Sequence, residues 1–244
     1  MIALTLALAL TQNQGSNAAE VVSKMLAHYN AAQTMTGTIL MTQSAMGKSV
    51  RTETVLQFEK PDKLYIKQIS RSSQPRQWLV TCDGQYVAYD TPNDIRDTNE
   101  ERLVEPLVSN GVKQKFTDIY RAVVRSLGDR SAPLDIAISR LEDLKFLRGQ
   151  WKTVEWAGEE EVNGEKLQSV RGLWREYPDA PTHSGTFQMW ITPSGDLRRY
   201  AIVELVKFPL GPGQLSDPQE VITTWDARLV VDGKPDPALF KLVR

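Results

Sequence analysis

From Thr36 to Phe208 most of the chain alternates apolar and polar residues with period two, in short runs broken once by a block of helical spacing. The runs GTILMTQSAM (37–46), RTETVLQFEK (51–60), KLYIKQIS (63–70), RQWLVTC (76–82) and QYVAYD (85–90) predict five consecutive strands. Turn residues separate them at Gly47, at Pro61-Asp62, at Ser72 to Gln74 and at Asp83-Gly84. Short strands joined by local turns make an antiparallel meander. Ahead of them Asn17 and Glu20 give a capping-box-like start, and Val21, Val22, Met25, Leu26, Tyr29 and Ala32 repeat at helical spacing. An amphipathic helix ending near Thr34 follows from that spacing.

The block from Glu101 to Gly149 reads differently. Phe116, Ile119, Tyr120, Val123, Val124 and Leu127 fall on one helical face. Leu134, Ile138, Leu141 and Leu147 suggest a second helix, with Gly149 as its stop. Period two then resumes in two hairpins: WKTVEWAGEEEV and EKLQSVRGLWRE around Asn163-Gly164, then GTFQMWITP and LRRYAIVELVKF around Ser194-Gly195. The loop PLGPGQLSDPQ leads to a last strand over 220–231. No helix alternates regularly with these strands, so a parallel α/β sheet is excluded and an α+β, mainly β, antiparallel architecture is expected.

In RTETVLQFEK and KLYIKQIS one face carries Leu56, Phe58, Leu64 and Ile66, whereas the other is mixed. A sheet of about ten strands has two faces and three helices cover only one. The expectation is an unclosed antiparallel β half-barrel with helices packed in its concave face as a lid. Leu56, Phe58, Leu64, Ile66, Trp78 and Val80 then point to one interior, since each pair is two apart on its strand. Periodicity leaves open whether that interior is a filled core or a ligand cavity. The helix of Phe116, Ile119, Tyr120 and Val123 has the apolar stripe to cover it.

Residues 2–10 are apolar and uncharged, followed by a polar stretch and Ser16-Asn17-Ala18. This reads as a signal peptide over 1–18, giving export and a single domain over 19–244; a buried N-terminal strand or helix is the alternative. Hydrophobic residues make up 41% of the 244 and charged ones 24%, with a net charge of −1 and scattered basic residues, which excludes a nucleic-acid partner. The single cysteine, Cys82, forms no internal disulfide and is expected as a small buried hydrophobe. His28 and His183 are the only histidines and neither has a metal partner at motif spacing. Glu159, Glu160 and Glu161 read as a solvated edge that discourages strand pairing, with a weak calcium site as the remote alternative. No enzyme, metal or cofactor is expected.

The order of these motifs resembles a known family. The first helix, MTGTILMTQ, then Lys60-Pro61 opening a strand, Asp83-Gly84 entering an aromatic strand that ends Tyr89-Asp90, and SAPLDIAISRL after the helical block together resemble the periplasmic outer-membrane lipoprotein carriers of the LolA/LolB type. The resemblance covers roughly residues 18 to 147. It implies an open barrel with a helical lid, an apolar cavity for acyl chains, a periplasmic monomer, a lipid or lipoprotein as ligand and a membrane-protein partner. It also implies that Lys60 latches the lid through helix-end carbonyls; the family has Arg there, and a lysine offers rotatable donors in place of a planar fork. The competing expectation is an envelope sensor or structural protein-binding module on the same fold.

Overall fold

The computed structural model describes residues 2–71, 75–90, 102–109, 111–128, 131–138, 151–173, 184–211 and 213–242. Helix α1 (Ile2–Ala31) opens the chain. Strands β1 (Thr34–Ala45), β2 (Lys48–Glu59), β3 (Lys63–Arg71), β4 (Arg76–Asp83) and β5 (Tyr86–Asp90) follow. Next come β6 (Arg102–Pro106), a small hairpin of β7 (Val108–Ser109) and β8 (Val112–Lys113), helix α2 (Phe116–Val123) and helix α3 (Ala132–Ile138). The remainder is β9 (Glu155–Val162), β10 (Glu165–Leu173), β11 (Ser184–Ile191), β12 (Leu197–Val206), the hairpin β13 (Pro209–Gly211) and β14 (Gln214–Leu215), and β15 (Gln219–Val231).

Eleven of these strands form one sheet in the order β6-β5-β4-β3-β2-β1-β15-β12-β11-β10-β9. The fold is mainly β and antiparallel, and the sheet is not closed: among the described residues β6 and β9 are its edges. The tight turns follow from the sequence. Met46 and Gly47 join β1 to β2, and Asn163 and Gly164 join β9 to β10, each pair with two positive φ angles (49° and 71°, 54° and 80°). That handedness matches the twist of a two-residue hairpin, and Asn-Gly is the pair that adopts it most readily.

Two boundaries differ from the sequence expectation. Helix α1 starts at Ile2 and stops at Ala31, because Thr34 already belongs to β1: its carbonyl accepts from Asp232 N–H at 2.9 Å and its hydroxyl donates to Gly233 O at 2.7 Å. Strand β6 was not expected at all. Leu141, Leu147, Gly149 and His183 lie outside the described residues.

The chain divides into two compact units. One comprises residues 1–29, 43–49 and 141–226. Its core is an aromatic series: Trp151 stacks on Phe187 at 5.2 Å, Phe187 on Tyr200 at 6.1 Å, and Tyr200 tilts against Trp225 at 5.8 Å. The end of α1 is fastened to the β11–β12 turn. Tyr29, buried, accepts the Leu197 N–H through its phenol oxygen at 2.9 Å, and His28 Nε2 lies 3.0 Å from Asp196 Oδ1. Burial pushes the Tyr29 phenol up, so it stays protonated. Burial also disfavours the Asp196 carboxylate, but hydrogen bonds from Ser194 and His28, with Arg198 nearby, outweigh it and hold the group below the ordinary carboxylate range.

Tyr29→Phe would keep the ring and leave the Leu197 N–H without its acceptor. The expected loss is about 1–3 kcal/mol, seen as a fall of several degrees in the thermal midpoint. An unchanged midpoint would mean the N–H finds water instead.

The other unit comprises residues 30–42, 50–140 and 227–244. It holds most of the β1–β5 meander, the β6 strand, α2, α3 and the end of β15. The candidate site lies within it.

Candidate functional site

Strands β2, β3 and β4 pair in register, so the side chains of one face form rows across them. Phe58, Leu64 and Cys82 make one row, continued by Val87 of β5. Leu56, Ile66 and Val80 make the next, continued by Tyr89. Leu56, Phe58, Leu64 and Ile66 are 0% exposed and Val80 1%. The alternating burial of β3 confirms which face is covered: every second residue from Leu64 to Ser70 is buried and the others are half-buried. The structure thus brings five of the six expected interior residues together as a buried apolar surface.

Trp78 belongs to the same face but is only half-buried. Its ring meets the backbone after α2: a Cβ on Gly128 would sit 2.4 Å from it, so only glycine allows that approach. Helix α2 covers the apolar rows at their other end, through Phe116, whose ring centroid is 5.1 Å from that of Phe58. Phe116, Ile119, Tyr120 and Val123 are all buried, the face that the helical spacing selected. The Tyr120 hydroxyl donates to Asp135 Oδ1 at 2.6 Å, which ties α2 to α3.

Lys60 stands at the β2–β3 turn. Its ammonium donates to Asn30 O at 3.0 Å, in the last turn of α1, and its backbone N–H donates to Gln33 O at 2.9 Å. A cation at a helix C-terminus is favoured by the orphan carbonyls and the dipole there. The helix end that Lys60 reaches is that of α1, whereas the helix seated on Phe58 is α2. Cys82 is buried and its Sγ lies 2.8 Å from Asp62 O. Burial pushes the thiol up to about 11, so at neutral pH it is a packed, unreactive thiol.

Toward Arg71 the same face changes character. The row after Leu56, Ile66 and Val80 is Thr54, Gln68 and Trp78, and the next is Thr52, Ser70 and Arg76. Thr54 and Gln68 are 0% exposed, Thr52 4% and Ser70 9%. The Gln68 amide donates to Thr54 Oγ1 at 3.1 Å. The sequence reading missed this buried polar patch, although its signal was present: Thr54 and Gln68 are two positions, and Thr52 and Ser70 four, from Leu56 and Ile66, and so fall on the same strand face.

Among the described residues hydrolytic chemistry finds no assembled centre. His28 and Asp196 pair, but the Ser194 hydroxyl donates to Asp196 at 2.8 Å and not to the imidazole, so no base stands against a nucleophile. Among the described residues no group of three His, Cys, Asp or Glu could hold a metal ion. The acidic run is otherwise engaged: Glu160 accepts from Gln188 and from the Trp190 indole, and Glu159 pairs with Lys166 at 2.6 Å. It lies on edge strand β9, where charge opposes further strand pairing.

No known family profile matches the chain, and no curated protein matches it. Several solved structures are similar to it. The lipoprotein LppX of Mycobacterium tuberculosis is 11% identical, with 86% of this chain and 92% of that one covered and a TM-score of 0.43. LprF of Mycobacterium bovis is 14% identical over 92% of this chain and 98% of that one, with a TM-score of 0.43. A LolA superfamily protein of Nitrosomonas europaea is 9% identical over 92% and 97%, with a TM-score of 0.33. No helix among the described residues is long and apolar enough to cross a membrane.

Proposed function

We propose that this protein is a non-enzymatic, extracytoplasmic binding protein that sequesters the acyl chains of a lipid or lipoprotein against the apolar rows of β2–β4, with α2 as the lid. The observation that carries this reading is the seating of α2. A buried apolar face is covered there by an eight-residue helix whose contact is apolar, through Phe116 on Phe58. Helices that short have little stability of their own, so α2 is held by its packing and by its tertiary bond from Tyr120 to Asp135. An acyl chain offers the same apolar contact, at about 0.8 kcal/mol per buried CH₂, and can take the place of the helix face. Export fits the apolar segment 2–10. Its removal near Ala18 would leave Val21, Val22, Met25, Leu26 and Tyr29, the buried side chains of α1, in place.

The test is displacement of 1-anilinonaphthalene-8-sulfonate from the purified protein by palmitate. Fluorescence should rise on adding the dye to native protein and fall as palmitate competes. Lys60→Ala should leave palmitate release within about twofold of the parent, because its exposed contact, worth about 1 kcal/mol or less, is to Asn30 O of α1 and not to the lid. Dye that palmitate fails to displace, together with a lipid-free mass for the native protein, would leave only a filled core.

A further inference from the structure

The buried face of β2–β4 is amphipathic along the strands, and a filled core has no need for that. Alternate residues on a strand are about 7 Å apart, so two apolar rows give way within one step to two polar ones. Four polar side chains, Thr52, Thr54, Gln68 and Ser70, lie between 0 and 9% exposed on a face that is wholly apolar at its other end. Buried hydroxyl and amide groups must have hydrogen-bond partners, which makes such a patch costly unless it serves something.

We propose that these four residues form a subsite for the uncharged, hydrogen-bonding head of a single-chain amphiphile, of which a monoacylglycerol is the simplest class. This rests on the acyl-binding reading above and specifies which lipid that site takes. The head group is uncharged because the subsite is: its donors and acceptors are two threonine hydroxyls, a serine hydroxyl and a carboxamide. A carboxylate or phosphate brought here would lose its water without gaining a counter-charge from the four side chains of the subsite. Arg76, opposite Ser70, is exposed and lies outside the buried set. Chain and head then follow from one geometry. The acyl chain runs along Leu56 and Ile66 toward Phe58 and Leu64, and the glycerol hydroxyls and ester carbonyl exchange with the Gln68–Thr54 hydrogen bond at the other end.

The test uses the full chain, the same dye, and two competitors with one chain length, monolauroylglycerol and laurate. On the parent protein monolauroylglycerol should compete at least tenfold more tightly. In the Thr54→Val, Gln68→Leu double variant both members of a bonded pair become apolar groups of similar shape. There monolauroylglycerol should weaken about tenfold and laurate less than twofold. Thr52→Val, which leaves that pair intact, should weaken monolauroylglycerol a few-fold and supplies the answer if the double variant does not fold. Laurate binding as tightly as monolauroylglycerol, or both shifting equally in the variants, would overturn the subsite and leave the carrier reading standing. Displacement by neither lipid from the parent protein would overturn both.

Discussion

Gly37→Ala is expected to destabilise the protein by about 3 kcal/mol or more, the largest effect of any single methyl group added in the unit that holds β1. Gly37 sits in β1 at φ +150°, and a Cβ there would lie 2.1 Å from Arg228 O and 2.8 Å from Leu229 Cα. Both are backbone atoms of β15, so no side chain can swing aside, and strands β1 and β15 must separate locally. Backbone strain of about 1–3 kcal/mol adds to overpacking of about 1–3 kcal/mol. The comparison is Gly47→Ala. Gly47 has a positive φ, but a Cβ would meet nothing within 4 Å, so only the conformational penalty of about 1 kcal/mol remains. Urea unfolding of the two variants should differ by at least 2 kcal/mol, and equal midpoints would mean that β1 and β15 do not approach as closely as described.

Phe58→Ala should cost about 3–5 kcal/mol, the range for removing a fully buried aromatic ring. Part of that belongs to the pair with Phe116, for which aromatic contacts add about 0.5–1.5 kcal/mol beyond area. A double-mutant cycle with Phe116→Ala isolates it. If α2 is the lid, each single variant should also bind more dye than the parent, because the helix loses its hold on the apolar rows. A coupling energy of zero would show that α2 is held elsewhere, through Tyr120 and Asp135.

The centre of the meander was legible because β3 and the second half of β2 have one buried and one half-buried face, which period two records directly, whereas consecutive residues are buried in β4 and β5. Strand β6 was not: Leu103, Val104, Glu105 and Pro106 are exposed on both faces, so no alternation is imposed on them. The end of α1 was misplaced because Thr34 is polar and suits either element; what decides it is its bonding to Asp232 and Gly233, about two hundred residues away, which no local pattern reports. Trp78 was assigned to the correct face, and its half-exposure depends on the backbone at Gly128. Thr52, Thr54, Gln68 and Ser70 were passed over since polarity reads as solvent. Position on the strand was the better guide.

The pairing of β1 with β15 also sets an order of events during folding. The meander from β2 to β5 can form from local hairpins, but the free side of β1 waits for residues 227–233, the end of β15 and the two residues after it. Closure entropy grows only with the logarithm of the intervening length, so the delay takes little from final stability. It acts on rate, because non-local pairing is slow to nucleate. Until β15 arrives, β1 presents a bare row of N–H and C=O groups to any neighbouring chain, the condition in which strands of different molecules pair. The interval of greatest danger for this protein therefore lasts until residues 227–233 are in place. A holding chaperone that covers β1 until residues 227–233 emerge would protect it at that moment.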